Sequence, residues 1–174
     1  MARAWIGLGS NLGDSRKTLP AAWQQLGSHD NIQTHRLSSL YCSEPVGMES
    51  ENWFVNAVGE LTTTLTPEQL LTELLKVEQD FGRRRDPSRP GYQDRTLDLD
   101  LLLYDDLIQR TSRLELPHPR LHERLFVLVP LAELAPDLVH PVLQCSMDTL
   151  CQHLQDATRT SQSQAMAKLP HGAP

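Results

Sequence analysis

The segment Arg95-Thr96-Leu97-Asp98-Leu99-Asp100-Leu101-Leu102-Leu103-Tyr104 constrains this chain more than any other, because it sets two carboxylates into an apolar run. A leucine run bounded by turn residues reads as a buried strand, and its period of two puts Asp98 and Asp100 on one face. Burying like charges is costly unless cations neutralise them, which points to a divalent metal site. Hard oxygen ligands without a nearby Cys or His favour magnesium, held by one or two carboxylates and by the phosphates of a nucleotide. Arg83, Arg84, Arg85, Arg89 and Arg95 crowd the upstream segment and suit a polyphosphate held against that metal. The alternative is an amphipathic edge strand whose aspartates face water and are merely balanced by the arginines.

The chain has 174 residues, 39% of them hydrophobic, enough for one domain with a proper core, expected over residues 1–155. A formal net charge of −6 argues against nucleic acid as the main partner, so the arginine cluster is a local feature. Cys42, Cys145 and Cys151 are odd in number and lack zinc-finger spacing, which predicts free thiols in a reducing compartment. The apolar stretch Ala4 to Leu8 is too short for a membrane span or a signal peptide, so a cytoplasmic protein with no membrane partner is expected.

Residues Arg3 to Leu8 read as a strand running into the turn Gly9-Ser10-Asn11-Leu12-Gly13. Asp14 can cap a helix through Leu19, Ala22, Trp23 and Leu26, although Pro20 implies a start near Thr18 or a distorted first turn. Strands are predicted over Ile32 to Tyr41 and Phe54 to Leu65, with a loop from Ser43 to Trp53 between them. Thr66-Pro67-Glu68-Gln69 is a strong helix start, and Gly82 a stop. Arg83 to Asp94 is predicted to be a mobile loop. Asp105-Asp106 reads as a turn, Leu107 to Gln109 as a short return strand, Leu125 to Leu134 as a buried helix despite Pro130, and Ser146 as the cap of a last helix. Residues 156–174 are poor in apolar side chains and are expected to form a flexible tail. The element order predicts a ferredoxin-like α+β fold, a mainly antiparallel sheet with helices on its faces.

Other chemistries are weaker. The turn after the first strand lacks the lysine and the glycine spacing of a phosphate loop. His118-Pro119-Arg120-Leu121-His122 is no zinc-protease motif, but His118 follows Pro117 in a constrained turn from which a neutral or charged imidazole could reach a phosphate. Trp53-Phe54-Val55-Asn56 sets aromatics beside an amide, a combination that can stack on and read a flat heterocycle, or simply pack the core.

Taken together, Gly9-Ser10-Asn11-Leu12, Glu44-Pro45-Val46-Gly47, Asn56-Ala57, Gly82-Arg83, Arg95-Thr96-Leu97-Asp98-Leu99-Asp100 and Leu116-Pro117-His118-Pro119-Arg120 resemble the 6-hydroxymethyl-7,8-dihydropterin pyrophosphokinases of folate biosynthesis. The resemblance spans roughly the first 140 residues. It implies transfer of pyrophosphate from ATP to a pterin alcohol, with AMP as the other product and two Mg2+ ions on Asp98 and Asp100. It further implies phosphate contacts from Arg83 and Arg95, which close over the reacting group, and from His118 and Arg124. Arg85, Leu101, Arg113 and Leu114 would line the ATP site. Phe54 and Phe126 would sandwich the pterin, with Asn56, Ser43 and Val46 at its polar edge and Asp98 beside it, and Glu78 would be a helix glutamate near the site. ATP and the pterin are then the partners, and a monomer is expected. The chain departs from the family at Tyr92-Gln93-Asp94, where Trp-Gly-Pro is common, and Asp94 adds a carboxylate beside the arginines. Another phosphoryl transfer or nucleotide hydrolysis on the same acid pair, or a nucleotide- or metal-sensing regulatory domain, are the alternatives.

Overall fold

The computed structural model describes residues 1–45, 52–82, 94–161 and 163–170. Strand β1 (Ala2–Ser10) lies at the centre of an antiparallel sheet, between β4 (Phe54–Thr63) and β5 (Asp98–Tyr104). The far edge of β4 is shared: β2 (Ile32–Leu37) pairs with one end and β3 (Tyr41–Ser43) with the other. The single strand expected over residues 32–41 is therefore two, because Ser39 leaves the ladder to give its N–H and hydroxyl to Glu133 Oε1, both at 2.9 Å. A small hairpin, β6 (Gln109–Arg110) with β7 (Glu115–Leu116), follows the turn at Asp105 and lies slightly later than the predicted return strand.

Helix α1 (Ser15–Leu26) begins at the Asp14 cap and runs through Pro20, which is exposed, so the carbonyl freed at Arg16 can be met by water. Helix α2 (Pro67–Asp80) carries the expected capping box between Thr66 and Gln69 and is followed by Gly82 at φ +81°. Both cover one face of the sheet: Leu19, Trp23, Leu26, Leu70 and Leu74 pack on Ala4, Ile6, Leu8, Ala57, Leu61, Leu99 and Leu101. Helices α3 (Leu125–Leu134) and α4 (Met147–Ser161) cover the other, where Val127, Leu128, Leu131, Met147 and Cys151 meet Trp5, Val58, Leu102 and Leu103. In β5 the register slips opposite Trp5 and Ile6, so Leu102 is an extra residue and Leu103 joins the face opposite Leu101.

The expectation of a flexible tail from residue 156 is corrected. Helix α4 continues to Ser161, and β8 (Met166–Lys168) extends the sheet beside β3. A three-residue strand needs no apolar run when an existing edge supplies its hydrogen bonds, and that edge is invisible in local composition. Among the described residues no helix is long and apolar enough to cross a membrane.

Candidate active site

Alternation along β1 builds the floor of the site. Ala4, Ile6 and Leu8 go to the α1/α2 core, which leaves Trp5, Gly7 and Gly9 for the other face. Gly7 stands opposite Asp100 in the ladder, and Gly9 opposite Asp98 and Asn56. A Cβ on Gly9 would come within 3.3 Å of Asn56 Oδ1, so bare backbone there keeps the sheet surface open. Around this floor stand Ser43, Phe54, Asn56, Phe126, Arg95, Asp98, Asp100 and Arg124. Asn56 and Ser43 are both buried and joined by a 2.8 Å bond from Asn56 Nδ2 to Ser43 Oγ. Arg124 lies over the Phe126 ring, 5.5 Å from its centroid, which ties the cationic and aromatic walls together.

A second cavity opens along α2 and β5 and is lined by Leu71, Leu75, Glu78, Arg113, His118 and Pro119. Arg95, Asp98, Asp100, Arg120 and Arg124 line both, so the two cavities meet at the acid pair and its arginines. Strand period delivers the pair, as predicted, to one face. Burial first, and then the charge of Asp98, push Asp100 up to about 7. Arg95 donates to Asp98 Oδ2 at 2.6 Å. Glu78, buried behind the strand, accepts the Leu99 N–H at 2.7 Å and holds β5 in place.

The Arg95 backbone is fixed in both directions by Asn11, whose Oδ1 accepts the Arg95 N–H at 2.8 Å and whose own N–H donates to the Arg95 carbonyl at 3.1 Å. Asp94 turns its carboxylate toward amides: Asn11 Nδ2 donates to it at 2.6 Å and Asn52 Nδ2 at 3.2 Å. His118, which sequence left neutral or charged, is held down to about 4 by burial and then by Arg124, so it is neutral near pH 7. Its Nδ1 accepts the Arg120 N–H at 3.2 Å, which leaves the proton on Nε2 as a donor.

Most predicted site residues converge here. Leu101 and Leu114 do not line either cavity; their side chains are buried in the core under α1 and α2. Val46, Arg83 and Arg85, like most of the predicted mobile loop, fall outside the described residues. Sequence alone assigns Arg120 no role, although its place two residues after His118 is a usable signal, and the glycine pair Gly7 and Gly9 at i, i+2 is another. Among the described residues no third His, Cys, Asp or Glu completes a metal-binding group around the acids. Two hard carboxylates, one raised by burial and by its neighbour's charge, fit magnesium whose other ligands are phosphate and water.

A family model described as 7,8-dihydro-6-hydroxymethylpterin-pyrophosphokinase (HPPK) matches residues 5–136. The chain is 43% identical over 141 residues to the 2-amino-4-hydroxy-6-hydroxymethyldihydropteridine pyrophosphokinase of Haemophilus influenzae, covering 81% of this chain and 86% of the relative. It is 42% identical over 139 residues to the enzyme of the same name from Methylorubrum extorquens, covering 80% and 86%. Its fold is similar to a crystal structure of wild-type Plasmodium falciparum HPPK-DHPS with pteroate, with a TM-score of 0.73 and 12% identity over 92% of this chain and 44% of that one.

Proposed function

The chain belongs to the 7,8-dihydro-6-hydroxymethylpterin-pyrophosphokinase family, and from that premise we propose that it transfers pyrophosphate from ATP to the hydroxymethyl group of 6-hydroxymethyl-7,8-dihydropterin, releasing AMP, in tetrahydrofolate biosynthesis. The observation that carries this reading is the meeting of two cavities at one acid pair. The glycine-floored cavity takes the pterin, with Phe54 and Phe126 as stacking faces and Asn56 and Ser43 at its polar edge. The groove along α2 takes ATP, its phosphates toward Arg124, Arg120 and the Nε2–H of His118. Arg83, Arg85 and Val46 are proposed in the roles that the family resemblance implies for them.

Asp98 and Asp100 would hold two magnesium ions together with ATP phosphates. What magnesium supplies when bound is charge neutralisation on the transferred group and on departing AMP. The chain itself positions the substrate hydroxyl in line with the β-phosphorus; its oxygen forms the new bond to that phosphorus as the bond to the bridging oxygen that departs with AMP breaks, and the hydroxyl proton is released to solvent, with no covalent enzyme intermediate. Arg95 exchanges its contact with Asp98 for the phosphates.

The strand order β5-β1-β4 with β2 and β3 beyond supports a ferredoxin-like arrangement. A monomer in a reducing cytoplasm belongs to this proposal, and the three free cysteines suit such a compartment. The test is product analysis with magnesium: AMP formed only when the pterin alcohol is present is expected. Hydrolysis of ATP without pterin, or binding without turnover, would replace this reading.

A further inference from the structure

Helix α3 delivers Arg124 and Phe126 to the site from a start that its own sequence does not cap. The N-cap position is Arg124, whose side chain makes no capping bond, where Ser, Thr, Asp or Asn would accept a helix N–H. The missing acceptor arrives from 39 residues further along: the Leu125 N–H donates to Gln164 Oε1 at 2.9 Å. The other end of the same amide, Gln164 Nε2, donates to the Glu123 carbonyl at 3.1 Å. One side chain thus grips the chain immediately before and after Arg124.

Gln164 does this from a backbone conformation that favours glycine, φ +58°. A residue with a Cβ keeps such a conformation only where its surroundings over-determine it. They do so here: the adjacent Ala165 donates its N–H to Glu44 Oε1 at 2.8 Å and accepts the Glu44 N–H at 3.1 Å, and Met166–Lys168 is zipped onto Tyr41–Ser43. Gln164 therefore sits where the Ser43–Glu44 wall of the first cavity is joined to the Arg124–Phe126 wall. The family match ends at residue 136, so this brace comes from outside the matched region.

We propose that Gln164 is a positioning residue for the pterin cavity, its amide setting the peptide groups that aim Arg124 and Phe126. The proposal rests on the pyrophosphokinase reading for the identity of the ligand, but not for the brace itself. Three measurements on the full chain separate the two: hydrogen exchange at the Leu125 amide without ligand, titration with the pterin alcohol, and single-turnover AMP formation.

In Gln164→Ala the Leu125 amide should exchange about tenfold faster, and pterin affinity and the chemical step should each fall about tenfold, at a temperature where circular dichroism shows the variant folded. Gln164→Glu keeps the acceptor for Leu125 and loses the donor to Glu123, so it should restore Leu125 protection and most of the pterin affinity. If the Ala variant does not fold, Gln164→Glu carries the comparison alone, with near-normal exchange at Leu125 and a pterin affinity about threefold weaker. An unchanged Leu125 exchange rate in Gln164→Ala overturns the proposal. So does faster exchange with pterin affinity and chemical step within twofold of wild type, which would make Gln164 a stabilising contact only. A wild-type chain that forms no AMP overturns the functional reading instead, while the exchange measurement still decides the brace.

Discussion

At the scale of single residues, Asp98 and Asp100 are proposed to hold the metal jointly, neither replacing the other. They share a strand face, but Asp98 is engaged by Arg95 while Asp100 is raised to about 7, so they differ in environment. Asp98→Ala and Asp100→Ala should each lower magnesium-dependent AMP formation roughly a hundredfold or more, with circular dichroism unchanged; near-normal rates in either would remove it from the site. The raised Asp100 also sets a pH dependence. Its folded-state value of about 7 lies above the ordinary 3.8, so the folded chain retains a proton that the unfolded chain releases. The stability this contributes is fully present below 3.8 and is lost as pH rises through about 7. Metal-free wild type should therefore fall behind Asp100→Asn in thermal midpoint between pH 5 and 8, and magnesium-ATP should stabilise wild type more at pH 8 than at pH 6. Equal differences at both ends of that range would show that Asp100 is not the titrating group. Asn56 is proposed for the pterin instead: buried and bonded to Ser43, it is expected to read the polar edge of the ring. Asn56→Leu should weaken pterin binding by about tenfold or more and leave magnesium-ATP binding nearly intact; parallel titrations that fall together would assign Asn56 to the fold.

Among the elements, the two faces of the sheet carry different duties, and glycine separates them. Gly7 and Gly9 line the first cavity on one face, whereas Gly59 clears the face that packs: a Cβ there would lie 2.4 Å from Trp23 Cη2. The Trp23 ring cannot retreat easily, because it belongs to the buried cluster formed with α2 and β1. Gly59→Ala should therefore destabilise the chain by about 1–3 kcal/mol, the usual cost of overpacking a close-packed core. Chemical denaturation checks this, and an unchanged midpoint would mean that α1 shifts without penalty. Position 59 lies between Val58 and Glu60, within hydrogen-bonded β4, so the same substitution tests how rigidly α1 rides on the sheet.

For the molecule as a whole, the last described elements are part of the working body. Helix α4 helps to close the core over Trp5 and Leu102 through Met147 and Cys151. Strand β8 extends the edge beyond β3, and Lys168 reaches Glu133 at 3.4 Å, next to the bonds that Glu133 accepts from Ser39 and Tyr41. A chain ending at residue 155 should lose the last turns of α4, β8 and the Gln164 brace together. A loss of about 1–3 kcal/mol, or several degrees in thermal midpoint for a chain of this size, is expected, along with weaker pterin binding. Scanning calorimetry of the two lengths would decide it, since an unaltered midpoint would return the segment to the status of a tail.

The features legible in sequence are those with a local cause. Period two puts Asp98 and Asp100 on one face whatever lies around them, and Thr66, Pro67 and Gln69 start α2 with groups no more than three residues apart. The family resemblance, rather than a local cause, implies a shared site for Phe54, Asn56, Arg124 and Phe126, and the first cavity brings them together. The tertiary structure decided what depends on a partner remote in sequence. Ser39 breaks the strand because Glu133 is there to receive it, Leu101 and Leu114 turn into the core because α1 and α2 cover that face, and His118 is neutral because burial and Arg124 disfavour its charge. Gln164 lies in a polar stretch with no motif of its own, and only the fold brings its amide to the uncapped start of α3. Hydrophobic period and capping are read within a turn or two of chain; burial, charge environment and the satisfaction of a distant N–H are properties of the packed whole.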